Sequence, residues 1–82
     1  MKAKEMFEKL GYEIAYDNKY NIKYCNVEKD NYIWFMLDIK TIDIYETINM
    51  KELQAINKQV EELGWNERWN KRNIRRSKQN HR

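Results

Sequence analysis

Tyr12-Glu13-Ile14-Ala15-Tyr16-Asp17-Asn18-Lys19-Tyr20-Asn21-Ile22-Lys23-Tyr24 is where the chain changes its period. Before it, Ala3, Met6, Phe7 and Leu10 follow the i, i+3, i+4, i+7 spacing of one helical face. Within it, Tyr12, Ile14 and Tyr16 alternate, and so do Tyr20, Ile22 and Tyr24. Alternation places every second side chain on one face of a strand. Asp17-Asn18-Lys19 between the two runs reads as a turn. The helix has to stop before the strands begin, and Gly11 supplies the left-handed conformation of a C-terminal cap. Tyr12 just beyond it can fold back on Phe7, as a Schellman motif requires.

Downstream, Glu28-Lys29-Asp30-Asn31 reads as a second turn. Residues 32–39 are apolar at nearly every position. That pattern fits an inner strand covered on both faces, or one lying at an interface. A tight connection near Lys40 leads to a fourth strand, where Ile42 and Ile44 alternate with Asp43 and Tyr45. Short connections favour antiparallel neighbours, so a four-stranded meander is expected. Ile48-Asn49-Met50-Lys51-Glu52-Leu53 then announces a helix. Asn49 can cap it, Glu52 can reach back as in a capping box, and Ile48 and Leu53 are spaced for a hydrophobic staple. Leu53, Ile56, Val60 and Leu63 share a helical face, and Gly64 ends it, with Trp65 placed to pack back on Val60. The expected fold is α+β: helix, four-stranded antiparallel β-meander, helix (αββββα), both helices on one sheet face, plus a basic C-terminal extension.

Charge divides the 82 residues at the same boundary. Residues 1–64 carry nine lysines against twelve acids, net −3; residues 65–82 carry seven cations against Glu67, net +6. All five arginines lie in the last fifteen residues. The expectation is a compact domain over 1–64 and a basic tail over 65–82, helical or disordered when unbound. In a helix, Arg68, Arg72, Arg75, Gln79 and Arg82 would form one stripe, and Trp65 and Trp69 would share a face. Arginine forks with indole stacking surfaces suit phosphates, an acidic groove or the channel of a ribonucleoprotein. The binding residues expected here are Trp65, Arg68, Trp69, Lys71, Arg72, Arg75, Arg76 and Lys78. The bland reading of the same run is an inert solubilising tail.

The strand aromatics have two readings of their own. Rings on an open sheet can stack bases, but this portion is net negative and has no arginine beside the rings. Core packing accounts for most of them, and a tyrosine-rich open face (Tyr16, Tyr20, Tyr24, Tyr45) would suit a protein partner.

Catalytic constellations do not emerge. The single His81 is next to last in the basic tail, and Ser77 has no partner there. Cys25, the lone cysteine, excludes an internal disulfide and reads as a packed strand side chain. Asp38-Ile39-Lys40, with Asp43 and Glu46 near, has the D-x-K step of some metal-dependent nucleases. Three residues carry little specificity, and charged residues at a strand end account for them as well. The expectation is a non-enzymatic protein with no cofactor and no metal. No signal peptide opens the chain, and Tyr32–Leu37 is far too short to cross a bilayer, so a cytoplasmic protein is expected.

Two stretches carry a resemblance. Lys2-Ala3-Lys4-Glu5-Met6-Phe7-Glu8-Lys9-Leu10-Gly11-Tyr12 and Glu52-Leu53-Gln54-Ala55-Ile56-Asn57-Lys58-Gln59-Val60-Glu61-Glu62-Leu63-Gly64-Trp65 resemble the ends of small, mostly uncharacterised proteins of phages and prophages of Gram-positive bacteria. The resemblance covers residues 2–65 and consists of helix faces and caps, so it transfers no catalytic residue. Those proteins end near the Leu-Gly-Trp signature, and the basic tail reads as an addition. What the resemblance implies is a phage accessory protein that binds and blocks a host machine, a class that includes the anti-CRISPR proteins. The implied partner is a host protein or ribonucleoprotein complex, with DNA or RNA reached through the tail and no membrane involved.

Overall fold

The computed structural model describes residues 1–65. The chain runs α1 (Ala3–Lys9), β1 (Glu13–Asp17), β2 (Asn21–Asn26), β3 (Asn31–Met36), β4 (Thr41–Ile44) and α2 (Met50–Glu62). The strands form one antiparallel sheet in the order β1-β2-β3-β4. This is the α+β αββββα arrangement expected from the periods.

Local chemistry sets the ends of both helices. Gly11 takes φ 95°, and the Gly11 and Tyr12 amides donate to the carbonyls of Glu8 and Phe7, both at 3.0 Å. Those are the two bonds of a Schellman motif, and the Tyr12 ring meets the Phe7 ring edge-on at 5.7 Å. At the start of α2 the capping box is complete. Asn49 Oδ1 accepts from the Glu52 amide at 2.8 Å, and Glu52 Oε1 accepts from the Asn49 amide at 2.7 Å. Gly64 closes α2 with φ 77° and a 3.0 Å bond from its amide to the Glu61 carbonyl.

Both helices lie on one face of the sheet. Phe7 of α1 stacks on Tyr24 of β2 at 4.0 Å and meets Phe35 of β3 edge-on at 6.3 Å. From α2, Gln59 Oε1 accepts from the Tyr24 hydroxyl at 2.7 Å. The helices are tied to each other where the Ala3 amide donates to the Glu62 carboxylate at 2.8 Å. Ala3, Phe7, Tyr12, Tyr24, Ile33, Phe35, Ala55 and Ile56 make the buried core. Truncating a buried aromatic such as Phe7 to alanine costs roughly 3–5 kcal/mol, which a domain of this size cannot spare. Packing also runs one residue past Gly64, because the half-buried Trp65 ring lies 6.4 Å from that of Phe35.

Two expectations about the strands need correction. Ile14 pairs with Tyr24, but Tyr16 pairs with Lys23, so Ala15 is an extra residue in β1. A bulge of this kind shifts the side-chain parity beyond it. Ile14 therefore faces the helices while Tyr16 faces away, and Tyr12, Ile14 and Tyr16 do not share one face. The second correction concerns residues 32–39. The strand ends at Met36, and a turn follows in which Lys40 takes φ 56°. β3 is an inner strand, but the helices cover only the face carrying Ile33 and Phe35.

Candidate functional site

Strand register builds, row by row, the face that α1 and α2 leave uncovered. Tyr16, Lys23, Trp34 and Asp43 form one row across all four strands. Cys25 and Tyr32 pair in the next, and the Tyr45 amide donates to the Tyr32 carbonyl at 3.1 Å, which extends that row beyond β4. The rings touch across the rows. Tyr32 stacks on Tyr45 at 5.3 Å and meets Trp34 edge-on at 6.0 Å, and Trp34 lies 6.2 Å from Tyr16.

Lys23 sits among these rings. Its Nζ is 4.4 Å from the centre of the Trp34 ring, 4.5 Å from Tyr32 and 5.7 Å from Tyr16. Cation–π attraction holds the ammonium there and covers its stem. Asp43, at the far end of the row, accepts from the Tyr32 hydroxyl at 3.2 Å. Partial burial of Tyr32, and then this acceptor, push its hydroxyl pKa up. The indole Nε1 of Trp34 is buried and has no acceptor among the described residues. Tyr16 and Tyr45 remain 49% and 56% exposed, so the patch is open at both ends. Three aromatic rings surround one ammonium, a fourth, Tyr45, stacks on Tyr32, and among the described residues no helix lies over them; an exposed patch of this composition is a candidate recognition surface.

This face differs from the tyrosine-rich face expected from sequence. Tyr16 and Tyr45 belong to it. Tyr24 is in the core, its hydroxyl satisfied by Gln59, and Tyr20 lies in the β1–β2 connection under Lys19. Tyr32, Trp34 and Lys23 were missed. A usable signal was present in 32–37, where Tyr32, Trp34 and Met36 alternate with Ile33, Phe35 and Leu37. Rings with a polar handle on one parity, against purely apolar side chains on the other, mark the side that meets solvent.

A second polar cluster is closed instead of open. Glu52 is buried, yet its carboxylate accepts from the Tyr12 hydroxyl at 2.7 Å and from the Asn49 amide, and pairs with Lys29. Asn31 Nδ2 donates to the Tyr12 oxygen at 3.1 Å and to the Thr47 carbonyl at 3.3 Å, while its Oδ1 accepts from the Glu46 amide at 2.7 Å. Burial alone would raise the Glu52 carboxyl. The hydrogen bonds from Lys29, Asn49 and Tyr12 outweigh it and hold the group below its ordinary value. Burial, with the carboxylate next, drives the Tyr12 hydroxyl far above its ordinary value. The cluster joins α2 to the β2–β3 end of the sheet.

The remaining sequence candidates are dispersed. Asp38 and Lys40 lie exposed in the β3–β4 turn, where Asp38 Oδ1 accepts from the Ile39 amide at 2.9 Å. Asp43 is engaged by Tyr32 on the open face, and Glu46 follows β4, exposed. Among the described residues, no group of three or more His, Cys, Asp or Glu is placed to hold a metal ion. Cys25 is a half-buried free thiol opposite Tyr32. Among the described residues, no helix is long and apolar enough to cross a membrane. Of the expected binding residues, Trp65 is packed against Phe35. Arg68, Trp69, Lys71, Arg72, Arg75, Arg76 and Lys78 lie outside the described residues, as do Ser77 and His81.

No protein-family model matches the chain, and searches among curated proteins and solved structures find no match.

Proposed function

We propose that this chain is a non-enzymatic binding protein that inhibits a host nucleic-acid-handling complex, in the manner of phage proteins such as the anti-CRISPR class. The observation that carries the reading is the sheet face that α1 and α2 leave uncovered, with Tyr16, Tyr32 and Trp34 grouped around Lys23 and Tyr45 stacked on Tyr32. Tyrosine and tryptophan anchors ringed by less critical contacts are the usual composition of a protein-binding hot spot. The basic segment 65–82 supplies the second element, arginines for the phosphates or acidic groove of the same complex. The two elements divide the work: the face selects the partner, and the arginines add affinity without sequence preference.

The test is capture from bacterial host lysate with the full chain, with and without nuclease. Two variants run beside it, Tyr16→Ala/Tyr45→Ala on the face and Arg68→Gln/Arg72→Gln/Arg75→Gln/Arg76→Gln in the tail. One host complex retained after nuclease, and lost with the face variant, is the expected result. The charge split favours a second reading, an accessory protein that binds nucleic acid directly through its tail. Recovery of nucleic acid alone, abolished by the tail variant and indifferent to the face variant, would establish that reading and remove the first.

A further inference from the structure

Among the described residues, the open face has an ammonium at its centre with no carboxylate paired to it. Lys23 is half-buried among three rings, and among the described residues its ammonium has no ion pair; the pairs formed there are Lys29–Glu52 and Lys58–Glu61. The carboxylate in its own row, Asp43, is bound to the Tyr32 hydroxyl. The ring that the ammonium covers most closely belongs to Trp34, whose Nε1 also lacks an acceptor among the described residues. That indole N–H is buried and reports on the ring from within the fold, so of these two donors the one left open to a partner is the ammonium at the middle of the aromatic patch.

We infer that this face takes a segment of a protein partner that presents a single carboxylate, seated on Lys23; the inference rests on the protein-docking reading of the face. A carboxylate supplies the missing charge and acceptor oxygens, and the surrounding rings exclude water, which strengthens the pair. Charge decides between a carboxylate and a nucleic-acid backbone. Among the described residues, Lys23 is the only cation that the strands place on this face, whose ends carry Glu13 and Asp43. Residues 1–64 are net −3. One ammonium neutralises one carboxylate, whereas a tracked phosphate backbone draws on a groove of successive cations.

The test is an NMR titration of the ¹⁵N-labelled full chain, read at the Trp34 indole N–H and assigned with Trp34→Phe. Three probes are used: a capped octapeptide of leucine and serine with one central glutamate, its glutamine counterpart, and oligothymidylate. The glutamate peptide is expected to shift the Trp34 signal, with the glutamine peptide about tenfold weaker or more. Lys23→Met should lose the same factor, while Lys23→Arg retains binding. Lys23→Met is a half-exposed change, and its circular dichroism checks that the fold persists. Equal binding of the two peptides, or no loss in Lys23→Met, overturns the carboxylate seat and leaves protein docking through the rings standing. A Trp34 shift with oligothymidylate alone makes the face a base-stacking platform and overturns both. No shift with any probe overturns the carboxylate-seat inference, and lysate capture by the face variant still decides the docking reading independently.

Discussion

The Tyr12 hydroxyl donates to the buried Glu52 carboxylate at 2.7 Å, joining positions forty residues apart. The same carboxylate completes the α2 capping box and pairs with Lys29 of the β2–β3 turn. One side chain thus ends a helix and fastens it to the sheet. Glu52→Ala should destabilise the protein by about 2–4 kcal/mol, since it removes the side-chain half of the capping box and leaves the Tyr12 hydroxyl and the Lys29 ammonium without their acceptor. Tyr12→Phe should cost about 1–2 kcal/mol. In a urea double-mutant cycle the two losses should add to more than the double variant shows, because they share one bond. Strict additivity would mean the bond contributes nothing.

Acid should act through the same group. Glu52 titrates below its ordinary value of 4.5 in the folded state. Its contribution is complete above 4.5 and declines as pH falls toward the folded value. Urea midpoints measured from pH 6 down to pH 3 should drop, and Glu52→Gln should flatten that limb while lowering stability at pH 6.

Alkali should act through Tyr24. Burial, then the charges of Asp17, Glu62 and Glu8, push its hydroxyl up to about 12 from 10. A group held neutral in the fold but free to ionise when unfolded stabilises fully below 10, and that contribution is lost as pH rises through about 12. Chemical melts at pH 9, 10 and 11 should show the decline. It should shrink in Tyr24→Phe, which also leaves Gln59 Oε1 without its donor.

The two cap glycines should respond unequally to alanine. Both have positive φ, which costs an L-residue about 1–2 kcal/mol. At Gly64 a new Cβ meets nothing within 4 Å, whereas at Gly11 it would stand 3.1 Å from Asn26 Nδ2. That nitrogen donates to the Leu10 carbonyl at 3.2 Å and has little room to give. Gly11→Ala should therefore show the larger fall in thermal midpoint, and equal falls would mean that Asn26 yields freely.

If the tail reaches phosphates, its affinity for single-stranded nucleic acid should fall steeply with salt. The logarithmic slope is about −0.9 per phosphate on duplex DNA and about −0.7 on single strands. Arg72→Gln/Arg75→Gln/Arg76→Gln should reduce the slope by about 2 on single strands. An unchanged slope in fluorescence-anisotropy titrations would remove those arginines from the contact.

Particular residues mark what could be read from the sequence. Asn49 and Glu52, or Leu10-Gly11-Tyr12, act within one turn of backbone, and their spacing alone specifies the bonds they make. The meander followed from alternation and short connections. The open face did not, because one residue of slack at Ala15 reverses parity for Tyr16, and no local signal marks a bulge there. Tyr24 looked like its neighbours because the partner that lets it be buried, Gln59, lies 35 positions away. Glu52 was legible as a cap but not as a buried ion, for the same reason: Lys29 and Tyr12 reach it only through the fold.

Alternation along β2 and β3 also bears on how such a chain diverges. Ile22, Tyr24, Ile33 and Phe35 serve the helix side, while Lys23, Tyr32 and Trp34 between them serve the open side. Odd and even positions are thus under separate constraints within one strand. Substitutions can change what the exposed set presents while the hidden set keeps the scaffold, so the chemistry of that face can be rewritten without refolding the domain.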